Sequence, residues 1–141
     1  MAELTDIPIE ECLALLHNEV VGRVAIDAPT GVSIVPVNYS VYDGDIVFRT
    51  APYSQLGTYG WHCRLAFEID GADVATHQGW SVVVKGRAEL VDDPKWLASI
   101  RQLNDPRPWA NGQRWLYIRL HPEEVTGRRI RGGVPEQRTG G

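Results

Sequence analysis

Apolar and polar residues alternate with period two along several short segments of this 141-residue chain. In residues 64–70, for example, Leu65, Phe67 and Ile69 alternate with charged side chains, which is the pattern of a half-buried strand. Similar patterns, bounded by turn residues, predict seven strands. These lie at residues 20–27, 32–42, 46–50, 64–70, 80–90, 114–120 and 124–130.

Two other segments repeat their apolar residues at helical spacing. Residues 8–18 begin with a proline followed by acids, and residues 93–103 begin with Asp-Pro, so both carry helix-start signals. Asp43-Gly44 is a tight-turn signal that joins its flanking strands antiparallel, and residues 71–79 are predicted to form a loop. The chain is therefore predicted to be a mainly β single domain, a β-rich α+β antiparallel barrel with two or three short helices.

Composition and charge narrow the function classes. A formal net charge of -4 and a pI near 5.5 argue against nucleic acid or an anionic membrane as partner. The N-terminal segment lacks an apolar run, and two cysteines are too few for a disulfide framework, so a reducing cytoplasm is predicted. The four histidines are scattered without metal-ligand spacing, and no metal site is predicted.

A polar segment at residues 50–60, TAPYSQLGTYG, follows a predicted strand. Its hydroxyl and amide side chains and its main-chain N–H groups could hold a phosphate. The residues equally fit a solvated connection between two strands. Neither a Walker pattern nor a dinucleotide-binding glycine motif accompanies the segment, so nucleotide triphosphate chemistry has no support.

The order and spacing of the segments resemble a known family over nearly the whole chain. The resemblance is carried by ECLALLHNEVVGRVAI, IVPVNYSVYDGDIVFRTAPYSQL, RLAFEID, GWSVVVKGRAELVDDP and RLHPEEVTGRRI. The chain is similar to the pyridoxamine 5′-phosphate oxidase-like family, in particular its small actinobacterial-type members. The resemblance implies a six- to seven-stranded antiparallel split barrel at residues 1–131, which forms a homodimer with two flavin sites at the subunit interface. Residues 132–141 lack apolar periodicity and are predicted to be a mobile tail.

The resemblance also implies which residues lie near the flavin ring. In the family, one strand runs beside the isoalloxazine, and here that strand carries Pro36, Val37 and Asn38. Main-chain groups are expected to matter there more than side chains. A second strand places Trp80 and Ser81 near the ring or its polar edge.

The family's phosphate-binding segment corresponds to FRTAPYSQL. This implies phosphate contacts from Thr50, Ser54 and Gln55, with Arg49 as a neighbour. Relatives commonly carry Lys or Arg where this chain has Gln55. Because charge-assisted hydrogen bonds are roughly twice as strong as neutral ones, the site needs another cation to hold FMN equally well. The sequence offers Arg49, Lys85, Arg128 and Arg129, the last two from either subunit.

The predicted function is an FMN-dependent oxidoreductase that acts on a small, planar molecule at the dimer interface. No catalytic residue is assigned, because a flavin carries the electron chemistry and the protein positions it. The alternatives are a deazaflavin-dependent reductase, a non-catalytic flavin- or haem-binding module, and a family member that has lost its cofactor. The substrate is not identified, because one fold and cofactor serve many reactions.

Overall fold

The computed structural model describes residues 3–110 and 112–132, which form seven strands and three helices. The strands form where apolar and polar residues alternate, because one face of each strand is then buried. The third helix is capped by the Asp93 side chain, which accepts a hydrogen bond from the main-chain N–H of Lys95. The elements run in the order β1 (Glu3–Asp6), α1 (Ile9–Asn18), β2 (Val21–Ala28), β3 (Gly31–Tyr42), β4 (Asp45–Thr50), α2 (Gln55–Tyr59), β5 (Cys63–Asp73), β6 (Gln78–Val91), α3 (Pro94–Leu103) and β7 (Leu116–Arg131).

Six of the strands close into a barrel, and all of the pairings are antiparallel. The order around the ring is β7-β4-β3-β2-β5-β6, and β6 pairs again with β7 to complete it. The long β7 strand pairs with β4 through residues 116–120 and with β1 through residues 128–131. The predicted β-rich antiparallel barrel is confirmed.

Alternate residues of each barrel strand fill the interior. Val24, Phe67, Val84 and Leu120 are fully buried in one cluster that spans the ring. A second, smaller cluster lies under α3 and contains Val47, Ile100 and Tyr117. The second cluster fixes α3, and with it the segment that follows α3, against the outer side of β4 and β7.

Seven strands were predicted and seven are present in the described residues, but they are not the same seven. The two predicted strands at 114–120 and 124–130 are one strand, because β7 continues through Pro122 with a register shift opposite Lys85 and Gly86. The short β1 was not predicted, since four mostly polar residues give no readable alternation.

The predicted loop at residues 71–79 is wrong. β5 continues to Asp73 and β6 begins at Gln78, so only residues 74–77 form the turn of a long hairpin. Pairing with the neighbouring strand extends the ladder through glycines and polar residues whose sequence resembles a loop. Of the predicted tail, residues 133–141 lie outside the described residues, and the domain end at residue 131 stays a prediction. No helix in the described ranges is both long and apolar enough to cross a bilayer.

Candidate functional site

A cavity of about 450 Å³ lies beside the barrel between β3, the end of β4, α2 and the segment that precedes β7. We call it the first cavity. Seven of the nine residues that the sequence assigns to flavin binding line it: Pro36, Val37, Asn38, Arg49, Thr50, Ser54 and Gln55. The other lining residues are Val35, Leu56, Pro108, Ala110 and Arg114.

The β3 wall of the first cavity consists of Pro36, Val37 and Asn38. The side chain of Val37 belongs to the barrel core, so its main chain is what remains available to a ligand. The Asn38 Oδ1 accepts a hydrogen bond of 2.8 Å from the main-chain N–H of Trp109. This bond holds the segment after α3 against β3. This contact closes one side of the cavity.

Ser54 caps α2, and its hydroxyl is already fully engaged. The Ser54 Oγ donates to the Ala51 carbonyl at 2.7 Å and accepts from the Gly57 N–H at 3.0 Å. The Thr50 Oγ1 lies 2.7 Å from the same oxygen and therefore donates to it. Ser54 shapes the rim of the cavity, and in this arrangement its hydroxyl has no proton left for a phosphate oxygen. Gln55, by contrast, is exposed at the start of α2.

Arg49 reaches the first cavity from β4, but its charge is compensated. One Nη of Arg49 lies 3.5 Å from an Asp105 carboxylate oxygen, and its guanidinium stacks 5.1 Å from the centre of the Tyr117 ring. Its Nε donates to the Arg114 carbonyl at 2.9 Å. Arg49 therefore links the end of β4 to the segment before β7.

Tyr117 and Asp105 complete this support. The Tyr117 hydroxyl donates to the other Asp105 oxygen at 2.9 Å, and burial is the main reason that the pKa of Tyr117 is raised. The Asp105 carboxylate is thus held by Tyr117 and Arg49 together. A buried phenol and an ion pair fix the outer wall of the cavity.

Arg114 is the charged residue among the five lining residues that the sequence interpretation missed. It is half-buried, and within the described residues no carboxylate lies at ion-pair distance from its guanidinium. The β4–β7 register could have indicated it: Thr50 pairs with Leu116, so Arg114 must lie beside the residues that follow Thr50. The sequence interpretation placed Arg114 at the start of a predicted strand, whereas β7 begins at Leu116 and leaves Arg114 in the segment before it.

The remaining two predicted residues lie apart from the first cavity. Trp80 lines a second cavity, of about 490 Å³, formed by the β5–β6 hairpin and the end of β7; its other lining residues include Arg129 and Arg131. The indole of Trp80 covers Gly71 on the neighbouring strand, where any Cβ would lie 2.6 Å from the indole nitrogen. Ser81 lines neither cavity and pairs with Asp70 of β5. Within one chain, the predicted site is divided.

The other cations proposed to replace a charge at Gln55 do not line the first cavity of their own chain. Lys85 lies opposite Glu124 on β7, and Arg128 lies opposite Ser81. Arg129 forms an ion pair with Glu11 of α1. If any of these cations serves a first cavity, it must do so in a second copy of the chain.

Neither a metal site nor a reactive cysteine is supported by the described part of the chain. Over residues 3–110 and 112–132, no group of three or more His, Cys, Asp or Glu side chains is arranged to hold a metal ion. Burial raises the pKa of both cysteine thiols, Cys12 and Cys63, which disfavours the reactive thiolate. The first cavity, with its arginines, amide and apolar walls, is the best-formed candidate site.

Comparison with known proteins agrees with the sequence resemblance. The family model described as pyridoxamine 5′-phosphate oxidase matches residues 8–129. An uncharacterized protein of Mycobacterium tuberculosis, Rv0080, is 32% identical over 142 residues, which cover 97% of this chain and 90% of that protein.

Two solved structures extend the likeness to three dimensions. The FAD binding protein from Mycobacterium smegmatis is 31% identical, with a TM-score of 0.76 over 91% of this chain and 99% of that chain. A putative pyridoxamine 5′-phosphate oxidase from Corynebacterium glutamicum is also 31% identical, with a TM-score of 0.77 over 92% of this chain and 95% of that chain.

Proposed function

The chain belongs to the pyridoxamine 5′-phosphate oxidase family, as its sequence resemblance predicts, and we propose that it binds a flavin nucleotide. The observation that carries the proposal is the first cavity, which gathers seven residues assigned from the family pattern. These residues come from β3, β4 and α2, and independent surface loops would have little reason to converge in this way.

The first cavity suits the ribityl-phosphate end of a flavin. Its volume of about 450 Å³ falls within the usual range of cofactor sites. Apolar atoms of Pro36, Leu56 and Pro108 provide packing surface, and Gln55 and Arg114 provide donors. These residues fit a phosphate ester, whereas a bare cation would meet two arginines.

We further propose that a homodimer completes the site, because Trp80 and Ser81 lie outside the first cavity. The outer face of β3, next to Pro36, exposes apolar residues: Val32 is 75% and Ile34 is 69% exposed. Such a face, adjoining the first cavity, fits a second copy of the chain whose Trp80 strand would reach the flavin ring.

The proposed activity is that of an oxidoreductase acting on a small, planar molecule. A bound flavin supplies hydride and electron transfer. The chain's own residues bind and orient: Pro36 and Val37 form a wall of fixed backbone, and Asn38 anchors the main chain of Trp109, whose neighbours Pro108 and Ala110 line the cavity. No side chain of the described residues needs to act as acid or base for this role.

FMN is the nucleotide that the sequence predicts. FAD is the second candidate, because the Mycobacterium smegmatis relative of 31% identity is an FAD binding protein. The two differ in whether a single phosphate or a pyrophosphate must be accommodated, and mass spectrometry of the released nucleotide distinguishes them.

The test begins with the purified protein. We expect the absorbance bands of oxidised flavin and release of FMN or FAD on denaturation, identified by mass spectrometry. We also expect the bound flavin to be reduced by an added electron donor such as dithionite and to be reoxidised by small planar acceptors. A Soret band would favour haem, and selective binding of deazaflavin coenzyme in a fluorescence titration would favour that alternative. A colourless protein that takes up neither FMN nor FAD would contradict the proposal.

A further inference from the structure

The charge balance of the first cavity differs between its two arginines. Arg49 faces Asp105 at 3.5 Å and stacks on Tyr117, so much of its positive potential is offset within the protein. Arg114 has no carboxylate at ion-pair distance within the described residues, although it lines the same cavity. An anion entering the cavity would therefore be attracted mainly by Arg114.

We propose that Arg114 is the cation that binds the anionic end of the ligand, and that it replaces the basic residue missing at Gln55. Both side chains line the first cavity, so a charge on the segment before β7 can serve a ligand that relatives hold from the start of α2. The inference rests on the proposed function in one respect: it takes the ligand to be a phosphate ester.

The position of Arg114 is fixed by its own main chain. Its carbonyl accepts from the Arg49 Nε, and Arg49 is in turn held by Asp105. A guanidinium on an anchored backbone loses less conformational freedom when it binds an anion, and its planar donors match phosphate oxygens. Arg49 is thus a positioning residue, and Arg114 is the residue that contacts the ligand.

The test compares FMN with riboflavin, which has the same ring and no phosphate. For the wild-type protein we expect tighter binding of FMN. Arg114→Gln should lower FMN affinity about 10- to 100-fold, the range for a hydrogen bond to a charged group, and leave riboflavin affinity unchanged. Arg107→Gln is the matched control, because Arg107 is exposed on the same segment and does not line the cavity.

A relocated charge gives the sharper result. In the double variant Arg114→Gln with Gln55→Lys, the preference for FMN over riboflavin should return, because the cation is restored on the other side of the same cavity. An unchanged preference in Arg114→Gln would overturn the proposal. Circular dichroism of each variant checks that the barrel is folded.

Inorganic phosphate separates this inference from the proposed function. If the wild-type protein binds no flavin, the proposed function fails, and thermal unfolding with added phosphate decides the role of Arg114. A rise in Tm that Arg114→Gln abolishes and Arg107→Gln retains supports the anion site. No rise in the wild-type protein, or a rise that persists in Arg114→Gln, overturns it.

Discussion

The first and second cavities have similar volumes, about 450 and 490 Å³, but they are constructed differently. The first is framed by fixed main chain: the capped turn of α2, the β3 backbone and a segment held by Arg49. The second is bounded by the end of a long hairpin and lined by the half-buried side chain of Trp80. A site framed by main chain suits the fixed geometry of the phosphate end in the proposed function, while a site lined by an aromatic side chain suits a ring or substrate.

The largest expected effect comes from separating the two cavities in the proposed dimer. Ile34→Glu places a charge on the exposed apolar face of β3. If this face is buried against a second copy, the unpaired charge should cost about 3–5 kcal/mol and shift the protein to monomers in analytical ultracentrifugation. Flavin affinity should fall with it, since the partner's Trp80 is then lost from the site.

Leu103→Glu is the control for the dimer experiment. Leu103 is 70% exposed, nearly the same as Ile34, but it lies at the end of α3 and lines neither cavity. This variant should remain a dimer with unchanged flavin binding. A wild-type monomer, or a dimer that persists in Ile34→Glu, would show that the apolar face serves another purpose.

The next effect compares a glycine at each cavity. A Cβ on Gly57 would lie 2.0 Å from the Ala51 carbonyl oxygen, which is fixed main chain. Gly57→Ala should therefore destabilise the protein by about 3 kcal/mol, at the upper end for overpacking, and weaken flavin binding. The nearest atoms to a Cβ on Gly71 belong instead to a side chain, the Trp80 indole at 2.6 Å, which we expect to shift more readily than main chain.

We expect Gly71→Ala to cost about 1 kcal/mol, at the lower end of the overpacking range, with a changed near-ultraviolet circular dichroism signal from the displaced indole. Urea unfolding of both variants measures the difference. Equal losses would mean that the second cavity is as rigid as the first, and would remove the contrast between them.

A variant with a smaller expected effect, Ser54→Ala, tests whether Ser54 binds phosphate or supports the cavity. Ser54→Ala removes the α2 cap together with the partner of the Thr50 hydroxyl. It should lower the free energy of unfolding by about 1 kcal/mol, the usual value for a cap. Thr58→Ala, at an exposed position of the same helix, should have little effect.

The FMN and riboflavin affinities separate the two roles of Ser54. Because its hydroxyl is already engaged by three protein groups, both affinities should fall together in Ser54→Ala. A selective loss of FMN binding would instead mean that Ser54 reorients towards the phosphate, as the family resemblance implies.

The sequence predicted more of the fold than of the site. Alternation located the barrel strands because burial on one face leaves a period-two pattern, as in Leu65, Phe67 and Ile69. It failed for the end of β5 and the start of β6, where pairing with a neighbour rather than burial decides the conformation. It also failed at Pro122, which a register shift accommodates within β7.

The site residues were predicted from the family resemblance. That resemblance could not show which charged side chains lie close together in the folded chain. The family pattern predicts a cation where this chain has Gln55, but Arg114 is 59 positions away and is brought to the same cavity only through the β4–β7 pairing. Likewise, the compensation of Arg49 by Asp105 requires α3 to be packed on the second core cluster. Long-range pairing of this kind leaves no local signature.

The smallest expected effect uses pH to compare the wall of the first cavity with the core behind it. Tyr117 supports the wall through Asp105, and Tyr39 lies in the barrel core, where its hydroxyl donates to the Leu16 carbonyl at 2.6 Å. The pKa of both phenols is raised, mainly by burial. Their unfolded pKa is about 10, so their contribution to stability is complete below that pH and is lost as pH rises above it.

The free energy of unfolding should therefore fall above about pH 10, and Tyr39→Phe and Tyr117→Phe should each reduce that fall. At pH 8, each variant loses a buried hydrogen bond, about 1 kcal/mol. Only Tyr117→Phe should also weaken FMN binding, because it frees Asp105 and with it the anchor of Arg49 and Arg114. Equal FMN affinities in the two variants would mean that the wall of the first cavity does not depend on Tyr117.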